Sequence, residues 1–449
     1  MMTHESMREN QTIPRRGPAR SPVSRRRTAG LETRPMTIPA RNPRRSLRRG
    51  VTLIELMVVI LIIGILTALL LPAVMGAVRR AYDATVLGEI NQLSQALANF
   101  QEKYGDLPPS RIILWESGQY NTLDQTPLSS TSGQWLNHAN PAVAPGLQPL
   151  MSATDITVGQ LSQRSLQYLN RFFPKAQYLG PGIPGQYLSN GFWYDFNGNG
   201  RFDQQPILLE GHECLVFFLG GIPTVTADTG SQRVVFGMSG FSKQFQSPAF
   251  PNAPNPFVNS TVTANRDAPF YTNFRAERLA DDDNDGMPGY TDSLSALADP
   301  YGIGNSRYYA YFRSYGGQSN YDPNDVNFRF DTDPTGQNVL HRVFQVQFTP
   351  VGSSANIVAS YAPNPYTTSD PAPSLMGITS SPVVNYQAPE TYQIISAGRD
   401  HLYGVGGLYS PAANERLPMP DASAQGLDPG MRISEHDNLT SFATSGVLE

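Results

Sequence analysis

Fifty residues without apolar periodicity open the chain, and an unbroken apolar run over 56–78 follows. That run holds 23 residues and no charge; as a helix it is about 34 Å long, enough to cross a bilayer. Beyond Val78 the pattern changes period instead of stopping. Val86, Ile90, Leu93, Leu97, Phe100 and Tyr104 recur at spacings of four and three, while Glu89, Asn91, Gln95, Asn99 and Glu102 fill the other faces. Such spacing predicts an amphipathic helix with one apolar stripe. Gly105 and the Pro108-Pro109 pair end it. The expectation is one helix over 51–104, lipid-embedded over 51–78 and amphipathic over 79–104, with Pro72 kinking its membrane half. A coiled-coil tether is the other reading, but the stripe is only about five turns long, so packing on a sheet is expected.

Over 105–449 the pattern is coarser. GHECLVFFLGGIP (211–223) is apolar all round and reads as a short helix or a buried strand. QRVVFGMSG (232–240), RYYAYFRSY (307–315), HRVFQVQFTPV (341–351) and ETYQIISAG (390–398) read as strands. Alternation in YYAYF and VFQVQF predicts a sheet with one face in water. Segments 119–160, 245–270 and 352–390 are rich in Pro, Ser, Asn and Thr and read as loops. The fold class expected is α+β: a long amino-terminal helix packed on an antiparallel sheet, with a large loop-rich insertion.

Composition sharpens this picture in two respects. Gly (39) and Pro (38) are abundant in 449 residues, as turns and short strands require. Cys214 is the only cysteine, so no intrachain disulfide can form, and stability outside the cytoplasm rests on packing or bound metal. Charge divides the chain. Residues 1–50 hold thirteen Arg against three acids (+10), and since the whole chain is −4, residues 51–449 carry −14. The basic segment reads as a disordered leader held on the cytoplasmic side of a membrane. The acidic remainder suits divalent cations and disfavours nucleic acid.

At the border of the two regions, Glu55 sits at the edge of the apolar run, where an unpaired carboxylate costs at least a few kcal/mol. Gly50 directly precedes the run, behind Arg44, Arg45, Arg48 and Arg49. This arrangement resembles the class III signal of type IV prepilins and type II secretion pseudopilins: a basic leader ending in Gly, then an apolar helix with Glu as fifth residue. Thr52, Leu53 and Pro72 match as well, while Val51 stands where Phe is usual. The resemblance implies that prepilin peptidase cuts between Gly50 and Val51 and N-methylates Val51. It also implies that Glu55 neutralises the amino terminus of a neighbouring subunit in a filament. Partners would be that peptidase, other pilin or pseudopilin subunits and an inner-membrane assembly platform, with residues 105–449 outside the cytoplasm. Met36 as the start would leave a 15-residue leader.

Two acidic loops carry candidate chemistry. In DDDNDGMPGYTD, Asp281, Asp283, Asp285 and Asp292 take the first, third, fifth and twelfth places of an EF-hand-type calcium loop, with Gly286 sixth. Without a cation such carboxylates repel one another, which favours calcium over the bland reading of a solvated acidic turn. In DFNGNGRFD, Asp195, Asn197, Asn199 and Asp203 take analogous places around Gly200, with Pro206 twelfth and unable to ligate; the two neutral amides weaken it as a calcium loop and favour a plain Asn-Gly turn. The stretch YQIISAGRDHLYGVGG (392–407) resembles the carboxyl-terminal signature of major pseudopilins through Ser396, Gly398, Asp400 and Gly404, which implies calcium at Asp400. Asp437 is the next acidic candidate. No HExxH, G-x-S-x-G, Walker A or Rossmann fingerprint occurs. His212, Glu213 and Cys214 open an apolar run and read as structural. The function expected is a structural filament subunit and not an enzyme. The alternative is a membrane-tethered ligand-binding or enzymatic ectodomain that uses the prepilin export route.

Overall fold

The computed structural model describes residues 52–124, 156–176, 178, 193–225, 235–243, 255–258, 264–281, 285–292, 307–317, 320–322, 325–326, 331–332, 338–339, 365–368, 385–401, 403, 406–413, 416–417 and 429–448. The leader, Gly50, Val51, Asp283, Gly404 and the strand expected over 341–351 lie outside them. The chain divides into two compact units, 1–67 and 68–449.

Helix α1 (Leu53–Tyr104) is assigned without interruption through Pro72 and stops at Gly105, as its sequence pattern requires. Within the first unit its large apolar side chains, from Leu53 to Leu66, are all exposed. In the second unit the exposed apolar positions continue to Val78, and then the stripe takes over: Val86, Ile90, Leu93, Ala96, Leu97 and Phe100 are buried. Each large side chain so buried contributes about 1.5–3 kcal/mol, which is why this part of α1 docks.

The stripe packs into a core shared with α2 (Val158–Phe172), α3 (Gly211–Gly220) and the antiparallel pair β1 (Ile112–Leu114) and β2 (Ile207–Leu209). Phe100 is its hub, with ring centroids 5.0 Å from Phe172, 5.2 Å from Phe270 and 5.9 Å from Phe218. The run at 211–220 resolves as helix: all ten residues are buried, and its all-round apolar character follows from that central position. Cys214 lies within it, buried and unpaired with another sulfur.

Helix α2 corrects the loop reading that reached residue 160. Thr157 and Gln160 form a capping box: Gln160 N–H donates to Thr157 Oγ1 (3.2 Å) and Thr157 N–H to Gln160 Oε1 (2.8 Å). Its buried face includes Ser162 and Ser165 beside Leu161 and Leu169, which blurs the apolar stripe. Ser165 is satisfied there, donating to Leu161 O (2.7 Å) and accepting from Ile113 N–H (2.9 Å).

Further along lie the antiparallel pairs β3 (Pro223–Val225) with β4 (Val235–Met238) and β5 (Leu279–Ala280) with β6 (Gly289–Tyr290). The three-stranded antiparallel sheet joins β7 (Ala310–Arg313), β10 (Tyr392–Ser396) and β11 (Leu439–Thr440), with β10 central. A short pair, β8 (Asp331–Thr332) and β9 (Asn338–Val339), completes the strands described. The three-stranded sheet has no wet face. Tyr309, Tyr311 and Ile394 point into the core with α1, and Ala310, Phe312 and Ile395 into a second, tyrosine-rich core with Tyr366, Tyr403 and Tyr409. The alternation in YYAYF is real, but both sets of side chains are buried because tyrosine hydroxyls find partners inside. Tyr311 donates to Pro108 O (2.8 Å) and Tyr309 to Glu89 Oε2 (2.5 Å). Helix plus small antiparallel sheets is the α+β class expected.

Candidate functional site

At the head of α1, Thr52 and Glu55 form a capping box. Thr52 N–H and Oγ1–H donate to Glu55 Oε2 (2.8 and 3.1 Å), and Glu55 N–H donates to Thr52 Oγ1 (3.2 Å). Glu55 therefore satisfies helix-end donors within its own chain. The T-x-x-E pattern was present in the sequence as a cap signal beside the fifth-residue carboxylate. Both residues are exposed, at the start of the one helix among the described residues that is long and apolar enough to cross a membrane.

The two acidic loops meet. Asn197 Nδ2 donates across to Asp285 O (3.0 Å) and within its own loop to Asp203 Oδ2 (2.9 Å). Asn199 Nδ2 donates to the same Asp203 oxygen (2.9 Å), so both amides turn nitrogen toward Asp203. Each loop closes the same way: Gly200 N–H donates to Asp195 Oδ2 (3.0 Å) and Gly286 N–H to Asp281 Oδ2 (2.9 Å). Gly200 (φ 72°) and Gly286 (φ 94°) hold left-handed backbone, which explains Gly in the sixth place of each. In the second loop Asp285 Oδ1 also accepts from Met287 N–H (2.8 Å).

That second loop is the tip of the β5–β6 hairpin. Its register pairs Leu279 with Tyr290 and Ala280 with Gly289. Asp292 thus lies about 13 Å along the strand from the level of Asp281, at roughly 3.3 Å per residue. There it is fully buried and accepts from Ser396 Oγ (2.6 Å). Asp281 and Asp285 sit at the tip, whereas Asp292 is part of the buried sheet network.

A residue that local pattern did not single out joins the first loop. Glu116 is 1% exposed, its Oε2 accepts Asp203 N–H (2.6 Å), and its carbonyl accepts Tyr194 N–H (2.9 Å). Burial above all pushes Glu116 up to about 9; the Asp203 and Asp195 carboxylates add to this, against the Asp203 N–H bond and the nearby Phe196 N–H group. Burial likewise raises Asp195 to about 6, opposed by N–H groups of Gly200, Asn199 and Gly198. Glu116 Oε1 and Asp195 Oδ1 are buried without a hydrogen-bond partner.

At the carboxyl end, β10 leads into a turn at Gly398 (φ 67°). Asp437 comes back to that turn from a distant part of the chain, its Oδ2 accepting Arg399 N–H (2.9 Å) and Asp400 N–H (3.3 Å). The signature thus shapes a turn that receives a carboxylate, with Asp400 at its exposed side. Glu210, His212 and Glu213 bring ligand-type atoms within 4.8 Å of one another at the head of α3. Glu213 caps that helix, accepting Glu210 N–H (2.9 Å), and the His212 ring packs on Tyr308 at 4.7 Å.

An exposed apolar helix whose second half docks on an α+β unit defines a class of membrane-anchored protein. Comparison with known proteins narrows the class: residues 45–71 match the family model of the prokaryotic N-terminal methylation motif. The chain is thus type IV pilin- or pseudopilin-like at its amino terminus, with the motif that prepilin peptidase processes. No curated protein and no solved structure matches it.

Proposed function

We propose that this chain is a structural subunit of a type II secretion or type IV pilus-like filament. Prepilin peptidase cuts between Gly50 and Val51 and methylates the new terminus; the inner-membrane assembly platform then extracts the subunit into the filament. The leader stays at the cytoplasmic face and the carboxyl-terminal unit lies outside the cytoplasm. The methylation motif carries this reading, joined to a helix whose apolar side chains from Leu53 to Val78 are exposed. Water cannot be their working environment; lipid first, and the helices of neighbouring subunits afterwards, can be. In that apolar bundle Glu55 neutralises the amino terminus of the next subunit and fixes its register. The −14 charge of residues 51–449 does not favour nucleic acid.

The Thr52–Glu55 box favours a second reading, because it gives Glu55 a purpose without any neighbour: a membrane-tethered ectodomain exported by the prepilin route. Three variants separate the two. Glu55→Gln keeps a cap acceptor but removes the charge, Glu55→Ala removes both, and Thr52→Ala keeps the charge without the box. A filament subunit predicts that Glu55→Gln and Glu55→Ala both abolish filaments by electron microscopy while Thr52→Ala still assembles. Filaments of Glu55→Gln at the wild-type level would show that Glu55 is a cap alone.

A further inference from the structure

We infer that Glu116, Asp195 and Asp203 form a calcium site in which Glu116, 79 residues before the loop begins, supplies the acidic ligand that the loop's own twelfth position cannot. In an EF-hand-type loop the twelfth residue is a Glu that closes the coordination sphere. Here that position is Pro206, which has no side-chain oxygen. Glu116 comes from the segment after β1, paired to the start of the loop through the Tyr194 N–H bond to its carbonyl. Its side chain reaches in far enough to accept Asp203 N–H.

The orphaned oxygens point to a ligand. Buried carboxylate oxygens normally have hydrogen-bond partners, yet Glu116 Oε1 and Asp195 Oδ1 have none, in residues 1% and 6% exposed. Three acidic side chains share this corner, and burying uncompensated charge is costly. A hard divalent cation offsets both problems, since it takes the orphaned lone pairs and cancels the repulsion. The donors are all oxygen, which selects calcium or magnesium over zinc, and an irregular, partly backbone-built loop suits calcium's flexible coordination. As placed, Asn197 and Asn199 hold Asp203 through their amide N–H groups. A cation would draw the carboxylates inward from the hydrogen-bonding positions they hold now.

The Asn197 Nδ2 bond to Asp285 O gives the site a reach beyond its own loop. Ordering 195–203 would order the tip of the β5–β6 hairpin with it, so calcium would act on stability across sequence-distant segments.

The test uses full-length protein in detergent, stripped of metal, with calcium chloride titrated in and unfolding followed by circular dichroism. Wild type is expected to gain several degrees in melting temperature at saturating calcium. Glu116→Gln should lose at least half of that gain, yet melt no lower than wild type in chelator, because Gln fits the same buried position and keeps an acceptor for Asp203 N–H. A merely structural Glu116 would show the opposite: a loss in chelator and an unchanged calcium gain. Glu102→Gln, an exposed acid on α1, controls for surface charge and should track wild type. The proposal is overturned if wild type shows no calcium-dependent shift, or if Glu116→Gln gains as much as wild type.

Discussion

Asp325 shows how the protein buries acids that no calcium loop explains. Ser110 Oγ and Tyr315 OH donate to its Oδ2 at 2.5 and 2.7 Å, Arg164 stands 3.8 Å from its Oδ1, and the side chain is fully buried. Burial raises Asp325 to about 6, the Asp322 carboxylate adds to this, and Arg164 with the two hydroxyls pulls the other way. A folded-state value above the unfolded one means that the native state holds this proton longer. The stabilisation is therefore complete below about pH 4 and is lost as pH rises through 6. Two pH units correspond to on the order of 2–3 kcal/mol. Asn at this position can still accept from Ser110 and Tyr315 but has no proton to lose. In urea unfolding between pH 4 and 7, Asp325→Asn should remove that downward slope relative to wild type; parallel curves would show that Arg164 keeps Asp325 charged throughout.

At the scale of elements, legibility followed how cleanly each segment expressed one period. The stripe of α1 from Val86 to Phe100 was readable because its apolar spacing is regular and Gly105 ends it. β10 and β7 were readable because their aromatic and branched residues alternate between flanking turns. Helix α2 was not, since Ser162 and Ser165 occupy its buried face and only their hydrogen bonds reveal why polarity is tolerated there. The burial of both sheet faces was hidden for a related reason: tyrosine reads as half-polar until its hydroxyl partner is known. Glu116 had no local signal at all, because its relation to the loop at 195–203 exists only after folding. Local cues did exist for α2 in the Thr157–Gln160 box. Thr157→Ala should lower stability by about 1 kcal/mol in denaturant titration. Loss well below that would mean that α2 is held by Leu161, Leu169 and Phe172 with little help from its cap.

For the whole molecule, the division of charge and polarity along the chain carries the functional argument. A +10 leader, an apolar helix with exposed side chains and an acidic folded unit follow one another along the chain, and the proposed function assigns them to cytoplasm, lipid and exterior in turn. The folded unit is anchored to α1 by more than its apolar stripe. Arg278 reaches Glu89 on that helix through two bonds of 2.5 and 2.8 Å and stacks its guanidinium 4.3 Å from the Tyr290 ring centre. A docked, charge-locked second half leaves the exposed first half as the segment available for lipid or for other copies.

In the proposed function, trimming of the leader is the event on which filament assembly depends, because only then does a free terminal amine lie four residues before Glu55, its fifth residue. Intact-mass and amino-terminal peptide analysis of the protein purified from its native membrane tests it directly. The predicted species starts at Val51 and carries one methyl group on its terminal nitrogen. A mature protein that still retains residues ahead of Val51 would contradict the account.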